Sequence, residues 1–140
     1  MKIHHLRNAT FIIEAGENFI LIDPMLGEKE TLPPFSIIRH KPRRNPTVAL
    51  PKNSEDILNK VTFCLITHSH TFGLKALQHT DHLDEAGEAF LKKNTIPVGC
   101  RAGDAAYLKK TGLTVQVELD YWDSMPVLNG KITAVPAKHG

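Results

Sequence analysis

The run VTFCLIT, residues 61–67, constrains the fold more than any other stretch of this chain. It is apolar through its middle rather than at alternate positions, so a strand built from it is covered on both faces. Such a strand belongs at the centre of a layered α/β structure. Its end is also chemically loaded, because the next residues are His68, Ser69 and His70.

The flanking segments supply the remaining layers. ATFIIEA and NFILID are β-rich runs separated by Gly16-Glu17, a hairpin signal, and Pro24 stops the second run just after Asp23. KIHHL, before them, is short and ambiguous. From residue 27 to 53 the periodicity fades and prolines accumulate, as in a long loop. SEDILNK reads as a short helix capped by Ser54. HLDEAGEAFLKK reads as a helix with Leu83, Ala86, Phe90 and Leu91 on one face, acids early and lysines late. IPVGC is a strand, and AGDAAYLKKTG is a helix with Asp104 near its start and Gly112 past its end. LTVQVEL alternates like a half-exposed strand, and MPVLNGKITAVPA is a hairpin turning at Asn129-Gly130. The order of elements predicts a mixed α/β sandwich in one domain spanning residues 1–140.

Composition mainly excludes. Hydrophobic residues at 41% and charged residues at 23% rule against disorder, and a net charge of +2 gives no reason to expect a nucleic-acid partner. The N-terminus MKIHHLRNA lacks the apolar core of a signal peptide, and no apolar run approaches bilayer length. A cytoplasmic protein with a small-molecule substrate, no nucleic acid and no membrane association is the expectation. Cys64 and Cys100 read as reduced, buried thiols. Eight histidines in 140 residues is a high count, and histidine is the commonest metal ligand.

Those histidines cluster. Side chains two apart on an extended backbone point the same way, so His68 and His70 can grip one ion together. Asp81 and His82 precede a helix, where backbone N–H groups help fix a carboxylate. Aspartate and histidine together suit zinc or a similar borderline ion.

The string THSH…TDHLDEAG resembles the T-H-x-H-x-D-H motif of metallo-β-lactamase-fold hydrolases. NATFIIEAGENFILIDPML is similar to the opening strands of the ascorbate-6-phosphate lactonase-like branch, and AVPAKHG to the strand carrying a further ligand at His139. The resemblance implies a metallo-β-lactamase-type αβ/βα sandwich, with a mixed sheet and helices on one face. It implies a metal set of His68, His70, Asp81, His82 and His139, with Asp81 also acting on the reacting water. The implied cofactor is zinc, as one or two ions, with manganese or iron as substitutes. The implied chemistry is attack of metal-bound hydroxide on an ester, lactone or phosphoester.

The chain departs from the family pattern twice. A nine-residue piece separates the two parts of the motif, and His70-Thr71 recurs as His79-Thr80. Either His70 or His79 can therefore fill the second ligand position. His70 is preferred, because the strand end holds it beside His68 without first closing a loop. The chain also stops after His139, so the resemblance implies an incomplete, truncated domain holding the N-terminal half of the fold. That leaves one sheet face exposed and open to self-association. An alternative function follows: a non-catalytic metal-binding remnant.

Other features have plainer readings. Asp23 reads either as a group orienting a ligand or as a polar strand end before proline. The RHKPRR run, residues 39–44, reads as a solvated loop or an anion site. His4, His5 and His40 read as structural or solvated.

Overall fold

The computed structural model describes residues 1–34, 41–69 and 82–137. Six strands form one sheet in sequence order: β1 (Lys2–Arg7), β2 (Thr10–Ala15), β3 (Asn18–Ile22), β4 (Phe63–Ile66), β5 (Val98–Arg101) and β6 (Val115–Leu119). The first three pair antiparallel and the last four pair parallel, so the sheet is mixed. KIHHL, ambiguous as sequence, is the edge strand β1; its neighbour across the ladder makes it a strand. The VTFCLIT run supplies β4, which lies between β3 and β5.

Each parallel connection carries a helix: α1 (Ser54–Leu58), α2 (Glu85–Lys93) and α3 (Ala102–Lys110). Parallel crossovers are right-handed, and the strand order never reverses, so all three helices fall on the same face. Leu58, Leu91, Ala105 and Leu108 from the helices pack there with Ile12, Leu21, Cys64, Ile66 and Val98 from the sheet. The opposite face carries a smaller cluster of Phe63, Val117, Leu119 and Val127. Its cover is the hairpin of β7 (Ser124–Val127) and β8 (Gly130–Thr133), which supplies Val127 and Ile132.

Three local expectations are corrected. Ser54 is the first residue of α1 rather than its cap; Asn53 takes the cap position and its side chain makes no capping bond. The inward face of α2 is built on Gly87 and Leu91, with Ala86 exposed. A Cβ at Gly87 would lie 1.9 Å from the Pro24 carbonyl oxygen, so only glycine lets the helix approach this closely. Finally, Val127 pairs with Gly130, so the hairpin turns at Leu128-Asn129 and Gly130 belongs to β8. Among the described residues no helix is long and apolar enough to cross a membrane.

Candidate functional site

The site lies at the carboxyl ends of β3 and β4. Asp23 follows β3 in a left-handed conformation (φ 46°), which aspartate tolerates better than most side chains. Its N–H still donates to the Leu65 carbonyl at 3.0 Å, extending the parallel ladder one residue past the strand. The backbone then turns away at Pro24, and the carboxylate is left buried, at 3% exposure.

Three donors converge on that carboxylate. The Thr67 N–H donates to Oδ1 at 2.7 Å, and the Thr67 hydroxyl donates to Oδ2 at 2.7 Å. His82 Nδ1 reaches the same Oδ2 at 2.7 Å. An ionised carboxylate only accepts, so His82 donates from Nδ1, and Nε2 is the ring nitrogen turned away from Asp23. The single Thr67 hydroxyl proton is committed to Asp23. The 3.2 Å contact between Thr67 Oγ1 and His68 Nδ1 is therefore a bond donated by the ring. The two rings lie together, with centroids 3.8 Å apart and planes tilted by 45°.

This is the arrangement by which a carboxylate fixes tautomer and ring orientation in metal-binding histidines. The donor chemistry fits a borderline cation: two imidazoles whose Nδ1 atoms are tied back into the protein. Asp23 is thus a buried, triply bonded carboxylate and not a solvated strand end. His70, His79, Asp81 and His139 lie outside the described residues. Among the described residues, no three His, Cys, Asp or Glu side chains are gathered to hold a metal ion.

A second polar layer holds the loop behind Asp23. Asp84, buried at the start of α2, accepts from the N–H groups of Leu26 (3.0 Å), Gly27 (2.7 Å) and Gly87 (2.7 Å). Arg7, 1% exposed, donates from Nε and Nη2 to the Met25 carbonyl at 2.8 and 2.7 Å, and also to the carbonyls of Gly27 and Val48. Burial pulls the Arg7 pKa below its ordinary value, and the Asp84 charge opposes that fall. Between them, these two side chains satisfy most of the backbone of residues 25–27. Sequence reasoning missed both. Asp84 has a readable signal, an aspartate immediately before a helical pattern. Arg7 had none, since nothing local separates a buried arginine from a solvated one.

Asp104 is a third missed residue. It is 2% exposed at the start of α3, and it accepts from the Ser69 N–H at 3.3 Å instead of capping its own helix. Ser69 lies between His68 and His70, so Asp104 braces the loop that carries the motif. In front of His68 opens a cleft of about 640 Å³, lined by Thr67, His68, Asp104, Arg101 and Tyr121 and by an apolar wall including Leu65 and Leu119. Arg101 Nη1 donates to the Tyr121 hydroxyl at 3.3 Å. The RHKPRR run contributes nothing to this lining in its described part; Arg44 instead donates to the carbonyls of Glu30 and Thr31 in its own loop. Cys64 and Cys100 are free, buried thiols on the helix-covered face.

Comparison with known proteins agrees with this architecture. The chain is 32% identical over 125 residues to UPF0173 protein YddR of Bacillus subtilis (strain 168), covering 89% of this chain and 45% of that protein. It superposes on the isothiocyanate hydrolase from Delia radicum gut bacteria with a TM-score of 0.74 and 33% identity, over 95% of this chain and 47% of the other. A "possible metal-dependent hydrolase" from Veillonella parvula DSM 2008 gives a TM-score of 0.70 at 26% identity, over 89% and 44%. The fold is of the metallo-β-lactamase type. No family model matches the chain. It spans about half the length of the relatives it matches, so the metallo-β-lactamase-type sheet and helices described above correspond to part of each of them.

Proposed function

We propose that this chain carries the strand-end metal centre of a hydrolase, and that zinc is its metal. The observation that supports this most directly is the Asp23 carboxylate, which holds Thr67 and His82 together and, through the Thr67 hydroxyl, sets the tautomer of His68. His68 and His82 would ligate through Nε2, joined by His70 or His79, Asp81 and His139. Zinc, when bound, polarises an electrophilic oxygen and lowers the pKa of water to about 7. In this reading Asp81 accepts the proton of the attacking water. Thr67 and Asp23 keep both rings from rotating. The apolar wall of the cleft holds the body of the substrate, and Arg101 and Tyr121 hold its polar end. Esters, lactones and phosphoesters are the substrate classes that suit such a site. The name of one structural relative adds the isothiocyanate carbon as a further electrophile to test.

The second reading is a metal-binding protein without turnover. Two measurements separate these readings. Titration calorimetry with zinc is expected to show binding that weakens roughly 10- to 100-fold in Asp23→Asn. A panel of ester, lactone, phosphodiester and isothiocyanate substrates, run with and without chelator, then reports turnover. Zinc binding without chelator-sensitive hydrolysis leaves the second reading standing. No zinc binding at all removes both.

A further inference from the structure

We propose that Asp104 is a positioning residue of the metal centre, which acts through its bond to the Ser69 N–H to hold the backbone on which His68 is mounted. The inference rests on the metal-binding reading above and adds to it a residue of α3. Past Ile66 the chain has left its ladder with β5. The two strands pair only as far as Ile66 and Cys100, and β5 runs directly into α3 at Ala102. The backbone of residues 67–69 takes its acceptors from side chains instead. The Thr67 N–H goes to Asp23 Oδ1 at 2.7 Å, and the Ser69 N–H goes to Asp104 Oδ2 at 3.3 Å. Two carboxylates, one following β3 and one in the first turn of α3, therefore tie down the residues on either side of His68.

Neither stability nor capping accounts for an aspartate at position 104. An acid in the first turn of a helix ordinarily serves the free N–H groups of that helix. The Asp104 carboxylate bonds to none of them; it reaches a residue 35 positions away. It is 2% exposed, and among the described residues the Ser69 N–H is the one donor it meets. A buried carboxylate needs several donors to offset the water it has lost, and one bond of 3.3 Å falls short. An apolar side chain of similar size would cost the fold less. The carboxylate is explained by what its one bond holds.

Ser69 has little else to hold it. It is fully buried, and its hydroxyl has no hydrogen-bond partner among the described residues. Its side chain therefore anchors nothing, and the bond to Asp104 is the polar tie on the backbone just after His68. Asp23 orients the neighbouring Thr67 and His82 from the β3 side. Asp104 does the corresponding work from the α3 side, on the backbone rather than on a ring.

Two measurements on the 140-residue chain test the proposal. In metal-free protein, amide hydrogen exchange at Ser69 should quicken at least about 10-fold in Asp104→Ala. In Asp104→Asn, which keeps a carbonyl acceptor, it should quicken less. Zinc titration calorimetry should show affinity falling by roughly 10- to 100-fold in Asp104→Ala, and by less in Asp104→Asn. Unfolding of metal-free Asp104→Ala by denaturant should show no loss of stability, because an under-bonded buried charge has been removed. Zinc affinity unchanged in Asp104→Ala overturns the proposal, as does unchanged exchange at Ser69 or an equal loss in both variants. An alanine variant that is unfolded by circular dichroism, or destabilised as much as its zinc binding is weakened, overturns it too, because Asp104 then serves the fold. A wild-type chain that binds no zinc removes the metal-binding reading itself, and this assignment with it.

Discussion

The two faces of one sheet differ more than their sequences do. On the helix side, Ile12, Leu21, Val98 and Leu108 are fully buried. On the other side the same strands present Ile3, Phe11, Ile13 and Ile20, equally apolar, yet exposed or half-buried. Alternation along a strand only assigns a side chain to a face. Whether that face is finished depends on what the rest of the chain lays over it. Among the described residues, three crossover helices finish one face and one short hairpin begins to finish the other.

That contrast can be broken or sharpened by substitution, with stability read from chemical denaturation at a concentration too low for copies to associate. The largest effect is expected on the helix side, at Arg7→Ala. It strips donors from the buried Met25 carbonyl and from the part-buried carbonyls of Gly27 and Val48, and opens a void, at a cost of about 4 kcal/mol. Leu108→Ala, in the apolar part of the same face, should cost about 3 kcal/mol. Equal losses from Ile3→Ser would erase the distinction between the faces. The expectation there is a change within about 0.5 kcal/mol.

Titration supplies a further test, again confined to the helix side. Burial, helped by the charges of Asp104 and Glu118 and opposed by Lys109, pushes the Cys100 thiol from an ordinary 9.0 up to about 11. Burial and the Asp23 charge push Cys64 well upward too. A raised thiol pKa means that the folded chain holds its proton more tightly than the unfolded one. This stabilisation is whole below about pH 9 and fades as pH rises towards 11. Stability should therefore fall over that window, and fall less in Cys100→Ala. At pH 8 neither thiol should react with a disulfide reagent until denaturant is added.

Much of this architecture could be read from periodicity. The continuous run of residues 61–67 places β4 between parallel neighbours, and the hairpin at Gly16-Glu17 pairs β2 with β3. Boundaries were less legible, because caps and turns depend on contacts between distant segments. The α2 face settles on Gly87 because Pro24 lies against it, a contact across more than sixty residues. The hairpin register slips by one from Asn129-Gly130 because Val127 pairs with Gly130. Of the candidate site, the described members His68, His82 and Asp23 lie side by side. Arg7 and Asp104 did not announce themselves, because each acts on backbone groups that no local pattern identifies; Asp84 carried only its place before a helix.

The sharing of one Asp23 oxygen between Thr67 and His82 has a consequence for how such a site wears away. The bonds act as a unit, so their losses should not sum: once Asp23 is gone, replacing Thr67 costs little more. Decay by mutation would then be abrupt, one change releasing the others from selection together, and recovery would need the carboxylate restored first.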